Sequence, residues 1–285
     1  MLKKYISILI LLTASIAKAE IIEVNNFDKI KQDFEENYNK NYLPKDLLVV
    51  IDLDRLLFKS LLSTGEQFNN DLYSGLIPAF KKINKDPKNI YIDQLILTND
   101  KYKKELKDPE FSDFVSMITK DKIPAIGLNK NYTGNFNNIP KFEIWFADYL
   151  KKNFKIDFSN SFSENNYVIF NNLKSFSNTY PVFYKGILTS NNVYGSELLL
   201  NFLIQMHFMP KTFIMISSSR SLLSSMKMQL ANYSSSVLFI GYYYNNPDKP
   251  SNNDPAYYAK LVNDLIDQMG KIKRNNPVIK NSTKK

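Results

Sequence analysis

The sequence contains no cysteine and a single histidine, His207. Without cysteine the chain forms no disulfide and offers neither a thiolate nucleophile nor a thiolate metal ligand. One histidine near a predicted helix end is too little for a zinc site, and without a G-x-S-x-G segment it does not support a serine hydrolase. Any metal chemistry in this chain would therefore have to rest on carboxylates and other oxygen ligands.

Long apolar runs and nucleotide-binding glycine motifs are also missing. After residue 19 no stretch reaches the roughly eighteen uncharged apolar residues of a membrane-spanning helix, which disfavours an integral membrane protein. The 8 glycines form neither a G-x-G-x-x-G motif nor a P-loop. The common dinucleotide and nucleoside-triphosphate sites are thus not indicated.

The N-terminal end has the pattern of a secretion signal. Lys3 and Lys4 precede an apolar run at 6–16, and Ala17-Lys18-Ala19 forms a cleavage site before Glu20. The run is too short to remain as a membrane anchor. We therefore predict an exported protein, periplasmic or secreted, with residues 1–19 removed. The mature chain would fold as one domain with an insertion, or as two domains.

The formal charge of +9 is located at the two ends of the chain. Residues 271–285 contain six basic and no acidic residues, whereas residues 20–270 carry equal numbers of both. A nucleic-acid-binding protein would show a basic face on its folded body, so no nucleic-acid partner is expected. We predict that 271–285 is a disordered, solvated tail, and a weak contact with an anionic membrane surface is the alternative.

Strand and helix patterns alternate over most of the chain. Apolar runs typical of strands buried on both faces occur at 47–51, 123–128, 211–216 and 237–240. Helical spacing occurs at 25–38, 142–150, 195–208, 219–232 and 254–269. This alternation predicts an α/β fold, a three-layer Rossmann-like parallel sheet with helices on both faces.

Two segments interrupt the alternation and are predicted as cap insertions. Residues 60–122 have helical spacing and form a helical cap insertion. Residues 131–188 form a second insertion within the core span, in which 167–170 and 182–188 pair as a β-ribbon. The core itself is predicted to consist of 20–59 and 123–270.

Two aspartates close the first of the buried strands. Asp52 and Asp54 lie one residue apart in LLVVIDLDRLLF, at the carboxyl end of the strand, where ligands bind in open α/β sheets. On an extended segment they project to the same side, and two like charges there need a cation or a proton to coexist. The pattern indicates a magnesium or phosphoryl-transfer site, and the alternative is that both residues merely end a strand and open a loop.

At these residues the chain resembles the haloacid-dehalogenase superfamily of phosphotransferases, and within it a group of exported bacterial proteins. VVIDLDRLLF resembles the first motif, D-x-D-x-T-L, and IPAIGLNKN the second, while YKGILTSNNVYGSELLLNFL and KTFIMISSSRSLLSSM resemble the third and fourth. The resemblance covers about 47–244. It implies that Asp52 is a phosphoryl-accepting nucleophile, that Asp54 is the acid/base, and that Asn129 and Lys130 bind the substrate.

Several motif positions depart from that pattern, among them Asn129, which replaces a hydroxyl of the second motif but can still donate a hydrogen bond through its amide. Leu56 replaces a threonine, Tyr194 a lysine, and Ser217 and Ser218 the two aspartates that complete the magnesium shell. Neutral hydroxyls hold Mg²⁺ far less well than carboxylates, which leaves metal binding at Asp52 and Asp54 weak or absent.

We therefore expect a catalytically degenerate, phosphatase-like protein that binds an unidentified ligand or protein and needs no cofactor. The alternative is a phosphomonoesterase that depends weakly on Mg²⁺ and forms an aspartyl-phosphate intermediate.

Two points of the motif assignment concern the identity of the second motif and the source of a positive charge. Residues 97–100, LTND, imitate the second motif but follow a charged stretch, so we prefer Asn129. Lys130 and Lys185 are the candidates for bringing a positive charge into the crevice, although a lysine on a loop is usually solvated.

Overall fold

The computed structural model describes residues 20–38, 42–59, 89–100 and 103–246, and five residues between 260 and 267. The predicted leader, the first part of the 60–122 insertion and the basic tail lie outside the described residues. The five residues between 260 and 267 are helical, as predicted for 254–269. No helix among the described residues has the length and apolar character needed to cross a membrane.

The described residues form one sheet and six α-helices. The strands are β1 Glu20–Val24, β2 Leu47–Asp52, β3 Ala125–Asn129, β4 Tyr167–Ile169, β5 Val182–Tyr184, β6 Ile187–Thr189, β7 Thr212–Ser217 and β8 Leu238–Tyr244. The α-helices are α1 Phe27–Asn37, α2 Asn89–Thr98, α3 Glu110–Lys120, α4 Phe142–Phe154, α5 Gly195–Gln205 and α6 Arg220–Tyr233. Short 3₁₀ turns occur at Pro44–Asp46 and Ser163–Asn165.

The strand order in the sheet is β1-β8-β7-β2-β3-β6-β5-β4. The pairs from β1 to β6 are all parallel, and β6-β5 and β5-β4 are antiparallel. The prediction of an α/β fold with a mainly parallel sheet is therefore confirmed. The carboxyl ends of β7, β2, β3 and β6 are neighbours, and the crevice-forming edge of the sheet lies there.

Both faces of the sheet are covered, which confirms the three-layer prediction. Alternate side chains of β2 point to opposite faces. Leu47, Val49 and Ile51 join a hydrophobic cluster with residues of α1, α3 and α4. Leu48 and Val50 join a second cluster with residues of α5 and α6. Full burial of one such side chain stabilises the fold by about 1.5–3 kcal/mol, so β2 is a central element of the core.

The predicted β-ribbon is present but differs in detail. β4 pairs antiparallel with β5, whereas 182–188, predicted as one strand, is divided into β5 and β6. Lys185 and Gly186 have φ angles of 44° and 80°, and this left-handed pair turns the chain back on itself. The turn lets β6 pair in parallel with β3, and the Gly127 N–H donates to the Gly186 carbonyl at 2.9 Å.

Strand β1 was not predicted from the sequence. Its residues EIIEV pair in parallel with β8 at the edge of the sheet. Two glutamates conceal the strand pattern, but they are tolerated because the strand lies at an edge. Glu23 forms an ion pair with Arg220, the first residue of α6, and accepts a hydrogen bond from the Asn245 side chain at 2.7 Å.

The described part of 60–122 contains α2 and α3. Helix α3 packs directly on α1, and the Phe111 and Phe114 rings lie 4.9 and 5.7 Å from the Phe27 ring. Asp108, just before α3, accepts hydrogen bonds from the Phe27 N–H at 2.8 Å and from the Tyr244 hydroxyl at 3.0 Å. These contacts tie this segment to α1 and β8. The division into core and caps stays a prediction.

Replacing Gly186 with alanine should destabilise the fold. A Cβ there would lie 2.3 Å from the main-chain oxygen of Phe158, in addition to the strain of a left-handed φ. We expect a loss of about 1–3 kcal/mol in the free energy of unfolding, measured by urea denaturation.

Gly134→Ala is the matched control. Gly134 has the same φ of 80°, but the nearest atom to its Cβ would be a side-chain methyl of Thr179 at 2.8 Å. That methyl can move, so the control should lose less stability. Equal losses in the two variants would contradict the role assigned to the Phe158 carbonyl.

Candidate functional site

The site lies at the carboxyl ends of β7, β2, β3 and β6. Asp52 ends β2, Asn129 ends β3 and Ser217 ends β7. In the sheet register Asp52 is opposite Leu128, and Asn129 is opposite Thr189 at the end of β6. The topology thus brings the predicted strand-end residues to one edge, although they lie up to 165 positions apart in the chain.

Asp52 is completely buried, and hydrogen bonds hold both of its carboxylate oxygens. Oδ2 accepts from the Ser217 hydroxyl at 2.6 Å, and Oδ1 accepts from the Asp54 N–H at 3.3 Å. Burial raises the pKa of Asp52 to about 6, and Asp54 adds to the increase. The charge of Lys130 and the Ser217 hydrogen bond act in the opposite direction but do not cancel it. At neutral pH Asp52 is therefore largely ionised but close to its titration range.

Ser217 acts as a hydrogen-bond donor to Asp52. The Ser219 N–H donates to Ser217 Oγ at 3.0 Å, so the serine hydroxyl is the acceptor there. Its own proton is then directed to Asp52 Oδ2. Ser218 also contacts the D-x-D segment, since its hydroxyl donates to the Asp54 carbonyl at 3.4 Å. The two serines that replace the expected aspartates thus fix the position of the D-x-D segment.

Lys130 supplies the positive charge of the site. Its Nζ lies 2.6 Å from Asp54 Oδ2, and the two side chains are 40% and 26% exposed. Burial alone would lower the pKa of Lys130, but Asp54 and Asp52 outweigh that effect and the pKa is raised. Lys185, the other candidate, pairs instead with Asp148 at 3.4 Å and lies over the Tyr184 ring.

Asn129 is anchored at the end of β3 and leaves one polar atom unpaired. Its Oδ1 accepts from the Asn131 N–H at 3.2 Å, and its carbonyl accepts from Ser190 N at 2.7 Å. Its Nδ2 is buried without a hydrogen-bond partner, as is Oγ1 of Thr189 on the neighbouring strand. An unpaired buried polar atom costs about 1–3 kcal/mol. This corner of the site therefore favours an additional polar group.

The other two predicted motif positions have different roles. Leu56 is fully buried in the hydrophobic cluster that includes α1, so it is a core side chain. Tyr194 is the residue before α5, forms no side-chain cap there, and is 52% exposed.

The structure also places the LTND segment at 97–100 and the single histidine, His207. Residues 97–100 follow or end α2 rather than a strand, in agreement with the preference for Asn129. His207 lies just beyond the C-terminal end of α5, and Tyr194 precedes its N-terminus.

Two buried amides that hold the loops around the site were not predicted from the sequence. Asn191 accepts from Thr133 N at 3.2 Å and donates to the Thr179 carbonyl at 2.8 Å, which joins three loops at this edge. Gln94 of α2 bonds both the N–H and the carbonyl of Tyr132, at 3.0 and 3.3 Å. The available signal was the asparagine pair at 191–192, because asparagine tolerates the left-handed φ of 48° observed at Asn191.

The arrangement does not fit the divalent metal that the resemblance implies. Lys130 occupies Asp54 Oδ2, and the Ser217 proton occupies Asp52 Oδ2. Among the residues that the structure describes, no three or more Asp, Glu, His or Cys side chains are grouped to hold a metal ion. Mg²⁺ requires several oxygen ligands at about 2.1 Å in octahedral geometry. The interactions observed at this site are hydrogen bonds and a charge pair.

The fold and the site thus define an α/β protein with a cluster of charged and polar side chains at the carboxyl edge of its sheet. A family model described as "Protein of unknown function (DUF2608)" matches residues 23–273, and the chain belongs to this family. An uncharacterised protein of Rickettsia bellii is 70% identical over 100% of this chain and 97% of its own length. Uncharacterised proteins of Rickettsia conorii and Rickettsia prowazekii are 66% and 61% identical, each with the same coverage. No solved structure matches the chain.

Replacing Asp52 with asparagine should remove a pH dependence of stability. The folded-state pKa of about 6 lies above the roughly 3.9 of an unfolded aspartate, so protonation favours the folded state. This stabilisation is fully present below about pH 4 and is lost as the pH rises through about 6, up to about 3 kcal/mol. Urea denaturation at about pH 4.5 and 7.5 should show a smaller decrease in Asp52→Asn than in the wild type.

Comparison of the two proteins reports on Asp52 together with its interaction with Asp54 and Lys130, because all other titrating residues are common to both. The same decrease in unfolding free energy in both proteins would contradict the raised pKa of Asp52.

Proposed function

We propose that this chain is an exported protein with a haloacid-dehalogenase-like core, whose crevice binds a ligand or a protein partner without phosphoryl transfer. The observation that carries the proposal is the occupation of both motif carboxylates by side chains of the protein itself. Ser217 donates to Asp52 at 2.6 Å, and Lys130 pairs with Asp54 at 2.6 Å.

The haloacid-dehalogenase-like part of the proposal is supported by the positions of the four motif segments. The first, second and fourth end β2, β3 and β7, and the third leads from β6 to the start of α5. These four strands are consecutive neighbours in the sheet, and β2 lies between β7 and β3. A nucleophile at the end of β2 would thus be flanked by the fourth and second segments, with the third segment beyond the second, an order that agrees with the resemblance.

The absence of turnover is supported by the chemistry of the site. An aspartate nucleophile needs a free oxygen and a cation to neutralise the transferring phosphoryl group. Here Asp52 is buried, and one of its oxygens is bonded by a hydroxyl. Tyr194 stands at the position of the third-motif lysine of the haloacid-dehalogenase superfamily. Ser217 and Ser218 stand at the positions of the two fourth-motif aspartates. The site would therefore offer few positive charges to stabilise a phosphoryl-transfer transition state.

The second candidate is a phosphomonoesterase. It is favoured by the retention of both aspartates, and by the hydrogen bond from the Asp54 main-chain N–H to Asp52 Oδ1 at 3.3 Å, which orients the Asp52 carboxylate. In that case Asp52 would be the nucleophile and Asp54 the acid/base, and Mg²⁺ would be held weakly by these two residues, water and substrate.

Turnover and ligand binding by the wild type and Asp52→Asn distinguish the two candidates. We expect hydrolysis of p-nitrophenyl phosphate at about 10 mM Mg²⁺ to be no faster in the wild type than in the variant. Calorimetry with Mg²⁺ and beryllium fluoride should likewise show no heat that depends on Asp52. Hydrolysis that Asp52→Asn abolishes would overturn the binding proposal and establish the phosphomonoesterase.

Export is tested by the mass of the protein after expression in a bacterial host. We expect loss of residues 1–19, with Glu20 as the new N-terminus, in the periplasmic or extracellular fraction. Glu20 is the first residue of β1, so this cleavage would leave the sheet complete. Ala19→Arg should block the cleavage. Unprocessed wild-type protein confined to the cytoplasmic fraction would contradict export.

A further inference from the structure

We infer that the Lys130 ammonium is the resident cation of the Asp52–Asp54 pair, in the place where a divalent metal would otherwise be required. The inference concerns metal binding alone and holds whether or not the protein has an activity. It also assigns a new property to the chain: a divalent-cation site that opens when the charge of Lys130 is removed.

The Asp52 and Asp54 carboxylates lie in a setting that requires charge compensation. The Asp54 main-chain N–H bonds Asp52 Oδ1 at 3.3 Å and orients this carboxylate at the end of β2, where the charge of Asp54 also acts on it. Asp52 is completely buried, and Asp54 is 26% exposed on its side chain. Two carboxylates in this setting need a compensating positive charge or a proton. Serine hydroxyls provide hydrogen bonds but no charge.

Lys130 supplies the compensating positive charge. Lys130 directly follows β3, the neighbour of β2, so the main chain delivers its side chain to the D-x-D segment. Its Nζ lies 2.6 Å from Asp54 Oδ2. A metal ion bound to the same oxygen would lie at about 2.1 Å from it. The ammonium and a metal therefore compete for one position.

The net charge of this site agrees with the net charge that the superfamily pattern implies. The resemblance implies four carboxylates, one divalent ion and the third-motif lysine, which together carry a net charge of −1. In this chain Ser217 and Ser218 are neutral and Tyr194 replaces that lysine, so Asp52, Asp54 and Lys130 also carry a net charge of −1. Lys130 thus keeps the net charge of the site unchanged without a metal ion. A metal added to the intact site would have to displace an ion pair and would gain few ligands in return.

Replacing Lys130 with methionine tests the inference, because methionine keeps the length of the side chain and removes the charge. We expect wild-type protein to show no Mn²⁺ or Mg²⁺ binding by calorimetry up to about 10 mM. Lys130→Met should bind at least roughly tenfold more tightly and gain several degrees in melting temperature with the metal. Adding Asp54→Asn to this variant should abolish both effects.

Lys185→Met is the matched control. It removes a lysine from a more exposed ion pair, with Asp148 at 3.4 Å, outside the D-x-D segment. This variant should remain as insensitive to Mn²⁺ as the wild type. A gain of metal binding in Lys185→Met equal to that of Lys130→Met would show a general effect of net charge and overturn the inference.

A measurement on the wild type covers the case in which Lys130→Met does not fold. Carbon-13 NMR of lysine side chains should show a Lys130 signal that shifts in Asp54→Asn and stays unchanged when Mg²⁺ is added. Displacement of this signal by Mg²⁺ would overturn the inference, as would a folded Lys130→Met that binds no metal.

The outcomes also separate this inference from the proposed function. Metal-free hydrolysis that needs Asp52 would end the binding proposal but leave the role of Lys130 intact. Mg²⁺ binding by the wild type without turnover would do the reverse.

Discussion

β2 is covered on both faces and on both edges, and the rest of the molecule is arranged around this strand. Hydrophobic clusters cover its two faces, and β7 and β3 pair with its two edges. Such a strand has no contact with solvent except at its ends. Any polar residue at its carboxyl end must therefore be satisfied by the neighbouring strand ends. Asp52 is in this position, and its hydrogen bond to Ser217 at the end of β7 follows from it.

The same constraint explains how the site holds two carboxylates. A buried carboxylate is stable when hydrogen bonds and a nearby cation offset the cost of its burial. Asp52 receives two hydrogen bonds, and Asp54 receives the Lys130 ammonium. The Ser217 hydroxyl comes from the end of β7, and Lys130 directly follows β3; these are the two strands that flank β2. Both carboxylates therefore have hydrogen-bond or ion-pair partners within the protein.

Buried amide side chains hold the loops beside the charged pair. Asn191 and Gln94 each bond main-chain groups of other loops while buried. Because an amide both donates and accepts, one such residue can satisfy two loops that lack partners of their own. Tyr132 and Phe176 stack with ring centroids 4.5 Å apart beside these amides. The loops around the charged pair thus have defined positions, as a binding surface requires.

The sequence alone determined the α/β class, because continuous apolar runs and helical spacing depend on local composition. The central strands and most helices follow from it, and so do the positions of Asp52, Asn129 and Ser217 at strand ends. Strand β1 escaped because an edge strand needs no apolar face, and the β5–β6 turn escaped because its signal is one glycine.

The pairing of residues across the site was decided only by the tertiary structure. Lys130 and Lys185 look alike in the sequence, yet Lys130 follows the strand beside β2, and Lys185 lies in a turn and reaches Asp148. The distances between these charged groups depend on the order of the strands in the sheet, which cannot be read from the order of the elements along the chain. Local pattern therefore fixed which residues end the strands, and the order of strands in the sheet fixed which of them meet.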